Sequence, residues 1–248
     1  MGKTYEALER GEKGREKDSS RPLSKPQTVS EVTPPGHSSI HMAMERYEDL
    51  KSNLFTRYPK SLLRMILFNG TSHANGSSTT AATFAAMLAR DSQLKVLLVD
   101  MNLRSPSLHR LFKIYQAPGL SDILTHGGQI AFKIEKVGPE NLYVLPCGGR
   151  YTRGATLFEN SGLDDFLRMI RTRFDHIILA GGPYPTLPEY RVICAKVDGV
   201  VLVIESGKTR RPVALRAKKE LEEAGGKVLG VVLNRRKYYI PGWIYKRL

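Results

Sequence analysis

From Asn69 to Arg90 the chain reads NGTSHANGSSTTAATFAAMLAR, a run of small, hydroxyl-bearing and amide side chains with a glycine just ahead of an alanine-rich stretch. Residues of these types, set between an apolar run and a helix, are those that surround a phosphate. Backbone N–H groups and the helix N-terminus face the anion, a lysine reaches its outermost oxygens, and a Ser or Thr hydroxyl holds magnesium. Gly76, Ser78 and Thr79 stand where the glycine and the hydroxyls belong, whereas Ser77 stands where the lysine belongs. No Lys or Arg follows before Arg90. One charge pair at about 4 Å and an effective dielectric near 20 is worth roughly 4 kcal/mol, so this exchange weakens any grip on a nucleotide by orders of magnitude. Gly76, Ser77, Ser78 and Thr79 are the candidate contacts to ATP or ADP, with Ser78 and Asp100 as the ligands of any magnesium. The alternative is a Ser/Thr-rich turn that only caps a helix.

A loop of this kind needs a strand before it and a helix after it. Six short apolar runs supply strands: 62–68, 95–100, 141–147, 175–180, 198–205 and 228–234. They are leucine-rich or β-branched and do not alternate with polar residues, as expected of strands covered on both faces. Helical segments at 77–90, 162–173 and 211–224 separate them, which predicts an α/β fold with a mostly parallel sheet and helices on both faces, of the P-loop NTPase-like kind. Ligands of such a sheet bind at the carboxyl ends of its strands. Ahead of the sheet, Ile40, Met44, Tyr47, Leu50 and Leu54 recur at helical spacing and predict a helix leading into the domain. Residues 1–38 form the N-terminal tail. Between Gly11 and Ser39 only Leu23, Val29 and Val32 are aliphatic, the composition of a disordered linker, and a short helix is expected within the first dozen residues. The domain therefore spans 39–248, with a basic aromatic tail from about 235.

The second strand and the loop after it, KVLLVDMNLRSPSLHRLF, resemble the second nucleotide motif of the bacterial tyrosine kinases (BY-kinases) that act in capsule and exopolysaccharide assembly. That motif is an apolar strand, D-x-D-x-R, then Pro-Ser-Leu-His-Arg. Asp100, Arg104, Pro106, Ser107, Leu108 and His109 match it, and Asn102 replaces the second acidic residue. The resemblance implies catalytic roles for Asp100 and Arg104; the plain reading of Asp100 is a strand-end carboxylate capping a turn. It also covers the opening KTYEALERGEK and ERYEDLKSNL. There the family's assembly motif E-x-x-R-x-x-R/K becomes Glu45, Glu48 and Lys51, with Glu48 inverting the middle charge. A homo-oligomer is what the motif implies.

In the family, the strand after the RFD run ends in an aspartate that works beside the metal. Here RFDHIILAGGPYP puts Ala180 at that position, and alanine neither binds magnesium nor accepts a proton. Phosphoryl transfer rests on a cation, a metal and its carboxylates. Ser77, Asn102 and Ala180 alter three of those elements together. Asn234, closing the last run, is a candidate adenine contact or ordinary turn chemistry. Tyr238, Tyr239 and Tyr245 match loosely the family's phosphate-accepting tyrosines. Lying among Arg235, Arg236, Lys237, Ile240, Trp243, Ile244 and Lys246, they suit a segment at an anionic surface or partner edge, or a hook folded onto the chain's own core.

Composition narrows the setting. The net charge is +14, and from Lys208 to Leu248 there are 12 Lys/Arg against 3 Asp/Glu, so the basicity is C-terminal. Cys147 and Cys194 lie in apolar runs and read as buried thiols of a reducing compartment. His73 and His109 lack partners at metal-ligand spacing. No apolar run approaches a membrane span, and Glu6 breaks the myristoylation signal that Gly2 would begin. The expectation is a cytoplasmic protein, peripheral at the inner face of the bacterial inner membrane. It would be a degenerate kinase-like partner of a membrane polysaccharide co-polymerase, held at the membrane by that partner and by its tail, with no nucleic acid. Two alternatives stand: an active ATP-dependent tyrosine autokinase of the same pathway, and a positioning ATPase of the ParA/MinD kind, whose mark would be salt-sensitive DNA binding.

Overall fold

The computed structural model describes residues 37–72, 75–91, 93–126, 134–138, 140–149, 157–158, 161–183 and 189–235. The expected N-terminal helix and linker, His73, and the tyrosines of the tail lie outside them. In chain order the described elements are α1 (His37–Arg57), a 3-10 turn (Lys60–Leu62), β1 (Met65–Gly70), α2 (Ser77–Ala89), β2 (Val96–Asp100), α3 (Leu108–Phe112), α4 (Leu120–His126), β3 (Glu135–Val137), β4 (Leu142–Leu145), α5 (Ser161–Arg173), β5 (His176–Pro183), α6 (Glu189–Cys194), β6 (Gly199–Glu205), α7 (Arg211–Glu223) and β7 (Val228–Asn234).

The strands form one sheet in the order β3-β4-β2-β5-β1-β6-β7. All neighbours pair in parallel except β3 with β4. Parallel strands need covered crossovers, and the absence of alternation in their sequences has its cause here. Every residue of β1, β2 and β5 is buried. On one face Leu97, Val99, Ile177, Leu179, Val200 and Leu202 pack with α5 and α7 through Phe166, Ile170, Ala217 and Leu221. On the other, Ile66, Phe68, Leu98, Ile178, Val201 and Val203 pack with α2 through Phe84, Ala85 and Leu88, and with Leu54 of α1.

The structure adds an edge to the expected sheet. β3 is three residues long and only partly buried, too short and too polar to stand out as a strand. The first run begins its strand at Met65 rather than residue 62, because Lys60–Leu62 forms a 3-10 turn with Leu62 N–H donating to the Pro59 carbonyl at 2.9 Å. β5 runs on through Gly181 and Gly182 to Pro183, past the expected end at 180.

A polar clasp fixes the amino ends of the strands, away from the loops that extend from their carboxyl ends. Asp198 accepts hydrogen bonds from the backbone N–H groups of Arg64 (2.9 Å) and Met65 (2.6 Å) and pairs with Arg171 at 2.9 Å. Arg64 in turn donates to the carbonyls of Arg171 and Phe174. Asp198→Ala strands two backbone donors and a part-buried guanidinium, and is expected to destabilise the fold by about 2 kcal/mol in urea titration, without altering the loops at the opposite ends of the strands.

Candidate functional site

The parallel strands aim their carboxyl ends at one rim, where β1, β2, β5, β6 and β7 deliver Gly70, Asp100, Pro183, Glu205 and Asn234. The loop from β1 to α2 turns at Gly76, whose φ of +85° is left-handed. A Cβ at Gly76 would come within 2.2 Å of Asn234 Nδ2, so glycine is required both for the conformation and for the space. Asn234 Nδ2 donates to the Asn75 carbonyl at 2.8 Å, and its Oδ1 accepts from Arg235 N–H at 2.8 Å. Both ends of the candidate adenine-contacting amide therefore hold loop and turn.

Asn75 is buried inside the loop. Its Nδ2 donates to the Val203 carbonyl at 2.8 Å, and its Oδ1 accepts from Ser77 N–H at 3.1 Å. It lies over Gly70, where a Cβ would meet the Asn75 amide at 2.2 Å. Ser77, at the position a lysine would take, is buried and donates from Oγ to the Gly181 carbonyl at 3.2 Å, tying the start of α2 to β5. Ser78 is half-buried and Thr79 exposed. Thr71 Oγ1 lies 3.4 Å from Thr209 Oγ1, and Thr209 Oγ1 also accepts from Glu205 N–H at 3.0 Å, so the β6–α7 turn borders the loop. A hydrogen bond from Lys208 holds the Glu205 carboxyl below the ordinary carboxylate range.

Asp100 ends β2 in full burial. Its Oδ1 accepts from Asn102 N–H at 3.1 Å, and its Oδ2 from Ser107 N–H at 2.9 Å and Leu108 N–H at 3.0 Å. These bonds supply acceptors for the unsatisfied N–H groups at the start of α3. Burial still outweighs them and pushes the Asp100 carboxyl above its usual range. Asn102 Oδ1 accepts from Ser105 N–H at 3.1 Å. Arg104 is exposed.

Ala180 pairs with Phe68 on one side and Asp100 on the other, with its methyl in the apolar layer beneath α2. The two glycines after it leave room for neighbours. A Cβ at Gly181 would lie 2.4 Å from Asn69 Oδ1; one at Gly182 would lie 2.9 Å from both Asn102 Oδ1 and the Tyr190 hydroxyl. Gly182 N–H donates to that hydroxyl, which donates to the Met101 carbonyl at 3.3 Å. Asn69 is fully buried, and neither end of its amide has a hydrogen-bond partner among the described residues.

The structure thus brings Gly76, Ser77, Ser78, Asp100, Asn234 and Ala180 to one rim, with Arg104 exposed on the loop after β2. The sequence reading passed over Asn69, Asn75 and Tyr190. Asn75-Gly76 carries a turn signature that marks Asn75 in retrospect; the packing of Asn69 and Tyr190 against glycines has no local signal. Lys51 pairs with Glu48 along α1 at 3.7 Å, so the inverted charge of the assembly motif meets a cation of its own helix. Among the described residues no group of three or more His, Cys, Asp and Glu could hold a metal ion, and no helix is long and apolar enough to cross a membrane. Burial pushes the Cys194 thiol up to about 12 and the Cys147 thiol higher still, and both are free.

A magnesium nucleotide fits these residues poorly. The Ser77 N–H and hydroxyl face acceptors of the chain itself, the buried Asp100 carboxyl already accepts from three backbone N–H groups, and Ala180 offers no ligand.

A mostly parallel sheet with helices on both faces and a glycine-turned loop from β1 into α2 is the fold of the P-loop NTPase-like class. The septum site-determining protein MinD from Pyrococcus horikoshii shares that architecture, with a TM-score of 0.57 at 20% identity over 75% of this chain and 76% of its own. Within the class the chain is similar to the bacterial tyrosine kinases. The kinase domain of the Escherichia coli tyrosine kinase Etk superposes with a TM-score of 0.77 at 21% identity, covering 86% of each chain. In sequence, CapB of Staphylococcus aureus is 28% identical over 191 residues, 77% of this chain and 83% of its own. The tyrosine-protein kinase YwqD of Bacillus subtilis is 27% identical over 193 residues, 78% and 81% of the two chains. No protein-family model matches the chain.

Proposed function

We propose that the chain is a degenerate bacterial tyrosine kinase-like protein of capsule or exopolysaccharide synthesis and export, working as a regulatory or structural partner of a membrane polysaccharide co-polymerase rather than by phosphoryl transfer. The kinase relatives and the matched D-x-N-x-R-S-P-S-L-H-R run support the pathway. One observation carries the loss of catalysis: groups that would receive triphosphate and magnesium are engaged with the backbone of the chain itself, Ser77 Oγ with the Gly181 carbonyl and Asp100 with the N–H groups at the start of α3. The fold is kept because its surfaces are used. In this reading the protein is cytoplasmic and sits against the inner face of the inner membrane through its partner and the cations of its tail.

Calorimetric titration with magnesium-ATP and magnesium-ADP is expected to give no saturable heat, and incubation with magnesium-ATP no phosphotyrosine on Tyr238, Tyr239 or Tyr245. A deletion strain should lose normal polymer secretion, and a membrane pull-down should recover a polysaccharide-assembly component. The tyrosine-protein kinase relatives favour the autokinase as the second reading. Saturable metal-dependent nucleotide binding, followed by phosphotyrosine that Asp100→Asn abolishes, would establish it.

A further inference from the structure

Two segments at the carboxyl rim of the sheet share one composition. Residues 101–121 leave β2 at the rim and return to it beside β4, where Leu120 N–H donates to the Pro146 carbonyl at 3.0 Å and Gly148 N–H to the Gln116 carbonyl at 2.9 Å. They include no Asp or Glu. Arg104 and Lys113 are exposed, and so are two less polar neighbours, Leu111 by 44% and Tyr115 by 78%. Residues 206–219 leave β6 and run into α7, again with no Asp or Glu. There Arg210 and Arg211 are exposed, with Val213 45% exposed beside them. By contrast, the amino ends of the strands carry exposed charges of both signs, Asp91, Glu140 and Asp175 among Lys95 and Arg173.

Pairing changes along α7 in the same sense. Away from the rim, Arg216, Lys218 and Lys219 each meet the glutamate four residues on, at 2.6, 2.8 and 3.5 Å. At the rim, Arg104, Lys113, Arg210 and Arg211 have no ion-pair partner among the described residues, and the first turn of α7 holds no acidic residue to offset its cations. We propose that this rim rests on an anionic phospholipid surface. The cations would meet lipid phosphates while Leu111, Tyr115 and Val213 enter the headgroup layer, which accepts both kinds of side chain. The two segments follow β2 and β6, which lie three strand spacings apart, roughly 14 Å. An extended surface spans that separation and a small anion does not. Nucleic acid would satisfy the cations but gives the exposed apolar side chains nothing to enter. The inference concerns the folded rim alone, without nucleotide, tail or co-polymerase, so its failure would leave the proposed function standing.

The test is sedimentation of the full chain with vesicles. Vesicles of phosphatidylcholine mixed with phosphatidylglycerol should bind it and those of phosphatidylcholine alone should not, with binding lost as salt rises. The pair Arg210→Gln and Arg211→Gln should weaken binding roughly ten-fold or more, and so should Arg104→Gln with Lys113→Gln. Lys95→Gln with Arg173→Gln removes the same charge at the amino ends of the strands and should leave binding unchanged. Tyr115→Ser should weaken it several-fold without changing its salt dependence. All these side chains are exposed, and an unchanged urea midpoint would verify that the variants fold. Equal binding to both kinds of vesicle, or to neither, would overturn the inference. So would an equal loss in the amino-end pair, or wild-type binding by both rim pairs, which would leave net charge or the tail as the cause. Duplex DNA bound more tightly than the anionic vesicles at the same salt, and unaffected by Tyr115→Ser, would give the rim to nucleic acid instead.

Discussion

Ala180→Asp is expected to destabilise the fold by about 3 to 5 kcal/mol at neutral pH, as equilibrium urea unfolding would measure, because it sets an uncompensated carboxylate in the closed core. The methyl it replaces is fully buried in the apolar layer under α2, and its neighbour across the β2–β5 ladder is Asp100, itself buried. Burial and a like charge both raise the pKa of the new carboxyl in the folded state. A folded pKa above the unfolded one means that the folded state binds the proton more readily, so the lost stability returns as pH falls through that raised value and the deficit is full above it. If magnesium instead restored the stability of the variant at neutral pH, the neighbourhood would still be a metal site, and the proposal of a lost one would fail.

Asp100→Ala should cost about 3 kcal/mol in the same measurement, since it leaves the N–H groups of Asn102, Ser107 and Leu108 without their acceptor in a buried setting. The sequence motif reads Asp100 as catalytic; the hydrogen bonds around it describe the cap of α3. The pH dependence separates this from a surface carboxylate. Because burial raises the Asp100 pKa, ionisation of the group works against folding at neutral pH, and that penalty disappears as pH falls from the folded pKa to below the ordinary aspartate value. Relative to Asp100→Asn, which carries no titrating group, the wild-type chain should therefore gain stability over that interval. A flat difference between the two would mean that the carboxylate is not desolvated as the structure has it.

Much of the architecture can be read along the chain, because a parallel sheet covered on both faces writes itself as uninterrupted apolar runs. The runs ending at Asp100, Glu205 and Asn234 mark the ends of their strands to the residue. β3 escaped because three residues on a half-exposed antiparallel edge carry no period, and α3, α4 and α6 because five to seven residues are too few to show a helical one. At the rim, sequence marks Ser77 and Ala180 as departures from the motifs the chain resembles, since those are comparisons at fixed positions. It does not show which groups surround those two positions. That Asn75 turns its amide back into the loop, or that Asn69 closes on Gly181, depends on contacts between residues more than a hundred positions apart, and Tyr190 reaches Gly182 from a helix too short to show a period.

Those glycines also limit which substitutions the rim accepts. With an Asn69 oxygen 2.4 Å and a Tyr190 hydroxyl 2.9 Å from where their β-carbons would stand, a side chain at Gly181 or Gly182 requires that these neighbours move aside or be exchanged. On the proposed reading, a pocket closed in this way works as a ratchet: a return to phosphoryl transfer would take several coordinated substitutions rather than one.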